Sequence, residues 1–209
     1  DGILNCFWRS ADGSIHSGPR ATFSFADYPY PDRTLFDLSM YQPLPNQSHH
    51  TPITSTITST NCPHARCGFC FEAGPAGAPY QRRPVADVLA ELAELCGRHG
   101  IREVAFWDDI FTAGADWLID FCRRLKAQRL PLIWTCYGSV TTVTPSLLAA
   151  MRTAGCYNIY YGMESGNDDI LAGIGKGFTT ADIRRACAET RAADIAIRGA
   201  FIYGFPDET

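Results

Sequence analysis

The sequence predicts an α/β fold: a parallel sheet with crossover helices, preceded by an N-terminal hairpin and an extended linker. Three observations carry this. From residue 51 onward, short β-branched or apolar runs alternate with segments of helical period four times, and a fifth strand follows. The helical segments carry start and stop residues at their ends. Polar residues collect where the strands finish, which is where parallel βα architectures place their chemistry.

The elements follow in order. Residues 1–20 read as a hairpin, Ile3 to Trp8 and Ser14 to Ser17, turning at Asp12-Gly13 and ended by Gly18-Pro19. Residues 21–50 hold no clean period. Pro29, Pro31, Pro43 and Pro45 make them an irregular, extended segment laid over something else. Ile53 to Thr60 is a β-branched strand entered by Pro52. Pro84 to Arg98 is a helix whose Val85, Val88, Leu89, Leu92 and Leu95 form one apolar face, with Gly100 as its stop. Val104 to Trp107 is a strand. Ala115 to Gln128 is a helix with Trp117, Leu118, Phe121, Cys122 and Leu125 on one side.

Leu132 to Tyr137 is the next strand. Thr144 caps the helix after it, Pro145 takes its first position and Gly155 stops it. Tyr157 to Gly162 is a strand. Thr179 with Asp182 is a capping box for a helix reaching about Ala193, and Ile195 to Tyr203 is the fifth strand. Residues 1–50 therefore form a hairpin and linker, and residues 51–209 a βα core. Phe205 to Thr209 reads as a strand end entering a new helix, so at least one further βα unit is expected. Helices on one side would curl the sheet into a barrel or part-barrel; helices on both would leave it open and doubly wound. Periodicity does not separate these.

Composition narrows the function. The 209 residues are 46% hydrophobic and 19% charged, an ordinary globular balance. A net charge of −4 leaves no electrostatic footprint for nucleic acid. No apolar run reaches the ~20 residues of a membrane span. Nine cysteines without a visible signal segment fit a reducing cytoplasm better than a disulfide framework. Six of them, Cys6, Cys96, Cys122, Cys136, Cys156 and Cys187, fall singly in strand-like or apolar segments and read as small hydrophobes.

The other three are different. Cys62, Cys67 and Cys70 lie in one short loop, Asn61-Cys62-Pro63-His64-Ala65-Arg66-Cys67-Gly68-Phe69-Cys70. A closed zinc or iron–sulfur site takes four protein ligands, so three local thiolates leave one coordination position open. Three further sets of residues fall at strand ends: Asp108-Asp109, Glu164-Ser165-Gly166 and Gly204-Phe205-Pro206. The alternative is a non-catalytic metal module, with zinc or a cluster closed by His64 as fourth ligand.

Taken in order, these residues resemble the radical S-adenosylmethionine (SAM) superfamily, and within it the group whose members often carry an N-terminal cobalamin-binding domain. The resemblance rests on Cys62-Pro63 and Cys67-Gly68-Phe69-Cys70, on Phe106-Trp107-Asp108-Asp109-Ile110-Phe111-Thr112, on Tyr161-Gly162-Met163-Glu164-Ser165-Gly166 with Lys176-Gly177 beyond, and on Phe201-Ile202-Tyr203-Gly204-Phe205-Pro206-Asp207-Glu208-Thr209. It implies a partial βα barrel. Cys62, Cys67 and Cys70 would hold three irons of a [4Fe–4S] cluster, and SAM would take the fourth. Reduction would cleave SAM to a 5′-deoxyadenosyl radical, with cobalamin-dependent methyl transfer in some members. Asp108 or Asp109 would accept from the methionine ammonium. Glu164 and Ser165 would contact the ribose or methionine carboxylate region. Phe69 and the backbone from Ile202 to Gly204 would flank the adenine. An electron donor and a small-molecule or peptide substrate are the implied partners. Three departures stand out: the family's cluster spacing is C-x3-C-x2-C, where this chain has C-x4-C-x2-C; Thr60-Asn61 precede the first cysteine where relatives commonly have Arg-Gly; and Ser139 stands where relatives commonly have arginine, whose role would fall to Arg198 or to no residue of this chain.

Overall fold

The computed structural model describes residues 4–19, 24–43, 48–73, 79–206 and 208. Ile3, Pro45, Asp207 and Thr209, on which parts of the sequence reading fall, lie outside them. The hairpin is present as β1 (Phe7–Arg9) paired antiparallel with β2 (Ile15–Ser17). The linker has no regular strand or α-helix among its described residues, only single 3-10 turns at Phe25–Asp27, Arg33–Leu35 and Leu38–Met40.

The predicted strand over residues 53–60 divides in two. β3 (Ile53–Thr56) joins the main sheet, while β4 (Ser59–Thr60) pairs antiparallel with β5 (Gln81–Arg82). The break falls at Thr58, whose N–H donates to the Asp108 carboxylate instead of to a strand partner. There follow α1 (Val85–Arg98), β6 (Glu103–Phe106), α2 (Ala115–Gln128), β7 (Ile133–Gly138), α3 (Pro145–Thr153) and β8 (Cys156–Glu164). The chain continues through α4 (Asp168–Gly173), α5 (Thr180–Ala192) and β9 (Ala196–Phe201). The caps form as read. Thr144 accepts from the Leu147 N–H, and Thr179 with Asp182 makes a reciprocal capping box. α4 is an addition to the sequence reading. Its Asn167 cap accepts from the N–H groups of Asp169 and Ile170, and two acidic residues occupy its first turn, a signal that was present in the sequence.

The main sheet runs β3-β6-β7-β8-β9, all parallel and in chain order. That order decides between the two architectures. Right-handed crossovers that always step in one direction put every helix on the same face; a doubly wound sheet needs a reversal. The fold is a partial βα barrel. On the helix side the core is aromatic at its centre: Phe106 stacks on Phe111 at 4.4 Å, and both meet Phe121 and Trp134 edge-on or tilted. Gly155, at φ +98°, immediately precedes β8, and a Cβ there would stand 2.7 Å from the carbonyl of Leu132 just ahead of β7, so a larger residue would push the two strand entries apart.

The linker packs against this core through charge. Arg33 reaches Glu91 of α1 at 2.9 Å and donates to the Ser55 carbonyl. Arg83 meets the other Glu91 oxygen at 2.6 Å and also Asp87. Tyr30 donates to the Asp87 carboxylate and lies under the Arg83 guanidinium. Lower down, buried Glu103 accepts from the N–H groups of His49 and His50 and from the Tyr157 hydroxyl.

Candidate active site

Three cysteines, two pairs of polar residues and an aromatic edge stand along the rim where the parallel strands end. Cys62, Cys67 and Cys70 are all free thiols, and Cys70 is exposed. Burial pushes the Cys67 thiol up, Lys176 acts against it, and Cys70, Cys62 and Glu164 add to the rise. Left-handed backbone occurs at Asn61 (φ 63°), just before the longer C-x4-C segment, and at Ala65 (φ 44°) within it.

The loop is clamped from across the barrel. The Gly68 N–H donates to the Ile174 carbonyl at 2.9 Å, and His64 Nε2 lies 2.8 Å from the Gly175 carbonyl. A Cβ on Gly175 would meet the Arg66 carbonyl at 2.8 Å, so the two loops can approach only with glycine there. His64 is thus engaged in holding the loop through that nitrogen. Among the described residues no three His, Cys, Asp or Glu side chains are gathered in a way that could hold a single metal ion.

The adjacent aspartates divide their work. Asp108 is 2% exposed and accepts from the Thr58 N–H, the Thr58 hydroxyl and the Ser59 hydroxyl, which fills most of its acceptor capacity. Asp109 is open at its edge. Partial desolvation pushes its carboxyl up, and Glu72 and Asp108 push it further. Of the two, Asp109 is the one with capacity for an incoming cation.

Glu164 closes β8 in a left-handed conformation (φ 64°), beyond a register shift against β9. Its carboxylate is largely buried and lies 3.4 Å from Lys176 Nζ, while its carbonyl accepts from the Ile202 N–H at 2.9 Å. A glutamate held at positive φ is uncommon and costs about 1–2 kcal/mol, which the surrounding contacts must offset. Ser165 is buried, and its hydroxyl accepts from the Asn167 N–H. Phe69 is 41% exposed and packs on Phe205 at 5.6 Å, with Lys176 over its ring. Gly204 and Phe205 donate their N–H groups to Glu208.

The sequence reading named no role for Lys176, the cation shared by Glu164, Cys67 and Phe69. It also passed over the concave face below the rim. That face and residues Pro31 to Pro43 of the linker enclose a cavity of about 910 Å3, lined in part by Trp107, Tyr137, Tyr160 and Arg198. Strand alternation could have pointed to it: in β7 the residues Trp134 and Cys136 go to the core, so Thr135 and Tyr137 must face the other way. Ser139 pairs with the Thr141 hydroxyl at 2.9 Å, and Arg198 lies on the concave face.

The donor set fits the groups that the motif order implies. Three free thiols on one clamped loop supply three of the four ligands that such a cluster takes, and the Glu164 carboxylate and the Lys176 cation lie close enough to act on Cys67. Comparison with known proteins agrees. Residues 56–209 match the model of the radical SAM superfamily. The chain is 32% identical over its whole length to an uncharacterised methyltransferase of Pyrococcus horikoshii, covering 44% of that protein. It is 31% identical over 154 residues to the ribosomal protein uS12 methylthiotransferase RimO of Moorella thermoacetica, covering 68% of this chain and 35% of the relative. It thus spans less than half the length of these curated relatives. Among solved structures, the cobalamin-dependent SAM radical enzyme OxsB with aqua-cobalamin and SAM bound superposes with a TM-score of 0.80 at 20% identity, over 96% of this chain and 30% of that one. The radical SAM methyltransferase TsrM from Kitasatospora setae superposes with a TM-score of 0.68 at 23% identity, over 75% of this chain and 32% of its own. These likenesses carry the fold, and no helix among the described residues is long and apolar enough to cross a membrane. On its matched domain, its motif order and its partial barrel, the chain belongs to the radical SAM superfamily.

Proposed function

We propose that this chain is the catalytic core of a radical SAM enzyme that modifies its substrate by methyl transfer. The observation that carries the reading is the three-thiol loop, clamped through Gly68, Gly175 and His64 beside Glu164 and Lys176. Cys62, Cys67 and Cys70 would hold a [4Fe–4S] cluster, which when bound and reduced by an external electron donor would supply the electron for reductive cleavage of SAM. Asp109 accepts from the methionine ammonium, since an ammonium needs carboxylate acceptors and Asp108 is already engaged by Thr58 and Ser59. Glu164 and Ser165 orient the ribose and methionine carboxylate region, with Lys176 supplying the positive charge that a carboxylate needs. Phe69 and the backbone from Ile202 to Gly204 flank the adenine and exclude water from it. Methyl transfer as the reaction class is supported by the 32% identical methyltransferase relative. Cobalamin, if used, would be carried by a part of the protein outside these residues.

Anaerobic reconstitution with iron and sulfide tests the reading. The expected result is about four irons per chain and an electron paramagnetic resonance signal of the reduced cluster that changes when SAM is added. A Cys67→Ser variant should lose the signal while keeping its thermal unfolding midpoint. A reduced cluster whose spectrum ignores SAM would overturn the proposal.

A further inference from the structure

The concave face carries one continuous row of side chains just beneath the rim. Register makes this a single layer: Tyr137 pairs with Tyr160, and Tyr160 with Arg198. Because Phe106 pairs with Cys136, Trp107 stands next to Tyr137. The rings touch in sequence, Trp107 on Tyr137 at 6.1 Å and Tyr137 on Tyr160 at 4.9 Å. Three neighbouring strands therefore present three aromatic rings, and the fourth presents a guanidinium. Trp107 directly precedes Asp108 and Asp109, while Tyr160 and Arg198 precede Glu164 and Ile202 on their own strands, so the row lies below the rim groups assigned to SAM.

Two features suit this row to a ligand instead of to packing. Trp107 is 62% exposed, a large aromatic surface left open in a fold that buries Phe106 and Trp134 fully. Met40 and Tyr41 of the linker also line the cavity and are likewise exposed. The cavity volume of about 910 Å3 lies within the range of small-molecule sites, roughly 300–1,000 Å3. No aspartate or glutamate is among its described lining residues, which include the guanidiniums of Arg33 and Arg198. Arg198 also makes itself felt along the row: burial and Tyr160 push the Tyr137 phenol up, and Arg198 acts against them.

We infer that this cavity binds the substrate, and that the substrate is a planar aromatic molecule bearing an anionic group, its ring held between the Trp107–Tyr137–Tyr160 row and the linker residues Met40 and Tyr41, its anion on Arg198. The assignment rests on the radical SAM reading for the word substrate; the binding chemistry stands on the cavity itself. Stacking on aromatic faces selects flat rings, and a guanidinium offers a carboxylate or phosphate two parallel donors. Arg198 is thus a positioning residue that orients the ring beneath the rim.

Binding of three probes to the cluster-free chain tests this, by isothermal titration with saturation-transfer NMR. Indole-3-acetate supplies ring and anion, tryptamine the ring with a cation, and cyclohexylacetate the anion without aromaticity. The wild type should favour indole-3-acetate over each of the others by about ten-fold, the worth of one charge-assisted contact or one stacked pair. Arg198→Gln should abolish the preference over tryptamine, Arg198→Lys should keep part of it, and Tyr137→Leu should remove the preference over cyclohexylacetate. Equal binding of tryptamine, equal binding of cyclohexylacetate or no binding of any probe by the wild type overturns the inference, whatever the variants do. The cysteine variants should bind the probes normally. A cluster that ignores SAM would thus sink the enzyme reading and leave this one standing, and lost probe selectivity with an intact SAM response would do the reverse.

Discussion

The two faces of the sheet are covered in opposite ways. The helix side is sealed by apolar contact, with Phe106 and Trp134 of the sheet and Phe121 of α2 fully buried in one core. The concave side is covered by the linker, which is fastened by polar contacts: Arg33 on Glu91, and Tyr30 on Asp87. The first arrangement excludes water and leaves no space. The second holds a segment in place at its edge and leaves a cavity beneath it. Apolar burial is non-directional and fills volume, whereas ion pairs and hydrogen bonds fix position without filling it. A fold that needs a rigid frame and an open chamber can assign one kind of interaction to each face.

Substitutions can break this contrast in a graded way. The largest effect is expected on the sealed face. Trp134→Ala removes a fully buried indole in contact with three aromatic rings and should cost about 3–5 kcal/mol in denaturant unfolding. Next comes the fastening of the linker. Glu91→Ala leaves two buried guanidiniums without their carboxylate, for which the expected cost is about 3 kcal/mol. That figure is at the low end because Arg33 keeps the Ser55 carbonyl and Thr54 hydroxyl, and Arg83 keeps Asp87. Limited proteolysis should then cut within residues 30–43 before the core, which Trp134→Ala would not do selectively.

A smaller effect is expected from pH. Desolvation, and then the hydrogen bond to Asp87, pushes the Tyr30 phenol up from 10.0 to about 12. A group whose pKa is raised by folding contributes fully below its unfolded value and loses that contribution as pH climbs through the folded one. The stability difference between wild type and Tyr30→Phe should therefore be constant below pH 10 and shrink between pH 10 and about 12, read as unfolding midpoints across that window. The smallest effect on stability belongs to the open face. Trp107→Ala removes a ring as large as that of Trp134 but mostly exposed, and should shift stability by no more than about 0.5 kcal/mol. Equal losses for the two tryptophans would dissolve the distinction between sealed and open faces.

Much of the frame was legible in the chain. Thr144 with Pro145, the Thr179–Asp182 box and the apolar face of residues 85–95 are local signals, and each produced the element it announced. The strand over residues 53–60 was legible only in part, because its division at Thr58 depends on Asp108, fifty residues away. For the candidate site, the cysteine loop and the rim carboxylates could be picked out by type and order. Their division of labour could not: Asp108 and Asp109 are identical in sequence terms, and only the Thr58 and Ser59 contacts make one a structural acceptor and leave the other open.

The sequence by itself determined the alternation of strand and helix, the ends of the helices and the three-thiol loop, because each depends on residues within one or two turns of one another. Tertiary structure alone decided that every helix lies on one face, that Gly175 lets a second loop clamp the cysteines, and that the linker roofs a cavity floored by Trp107, Tyr137, Tyr160 and Arg198. These depend on which distant segments meet, and such meetings are set by packing of the whole chain, which no local period records.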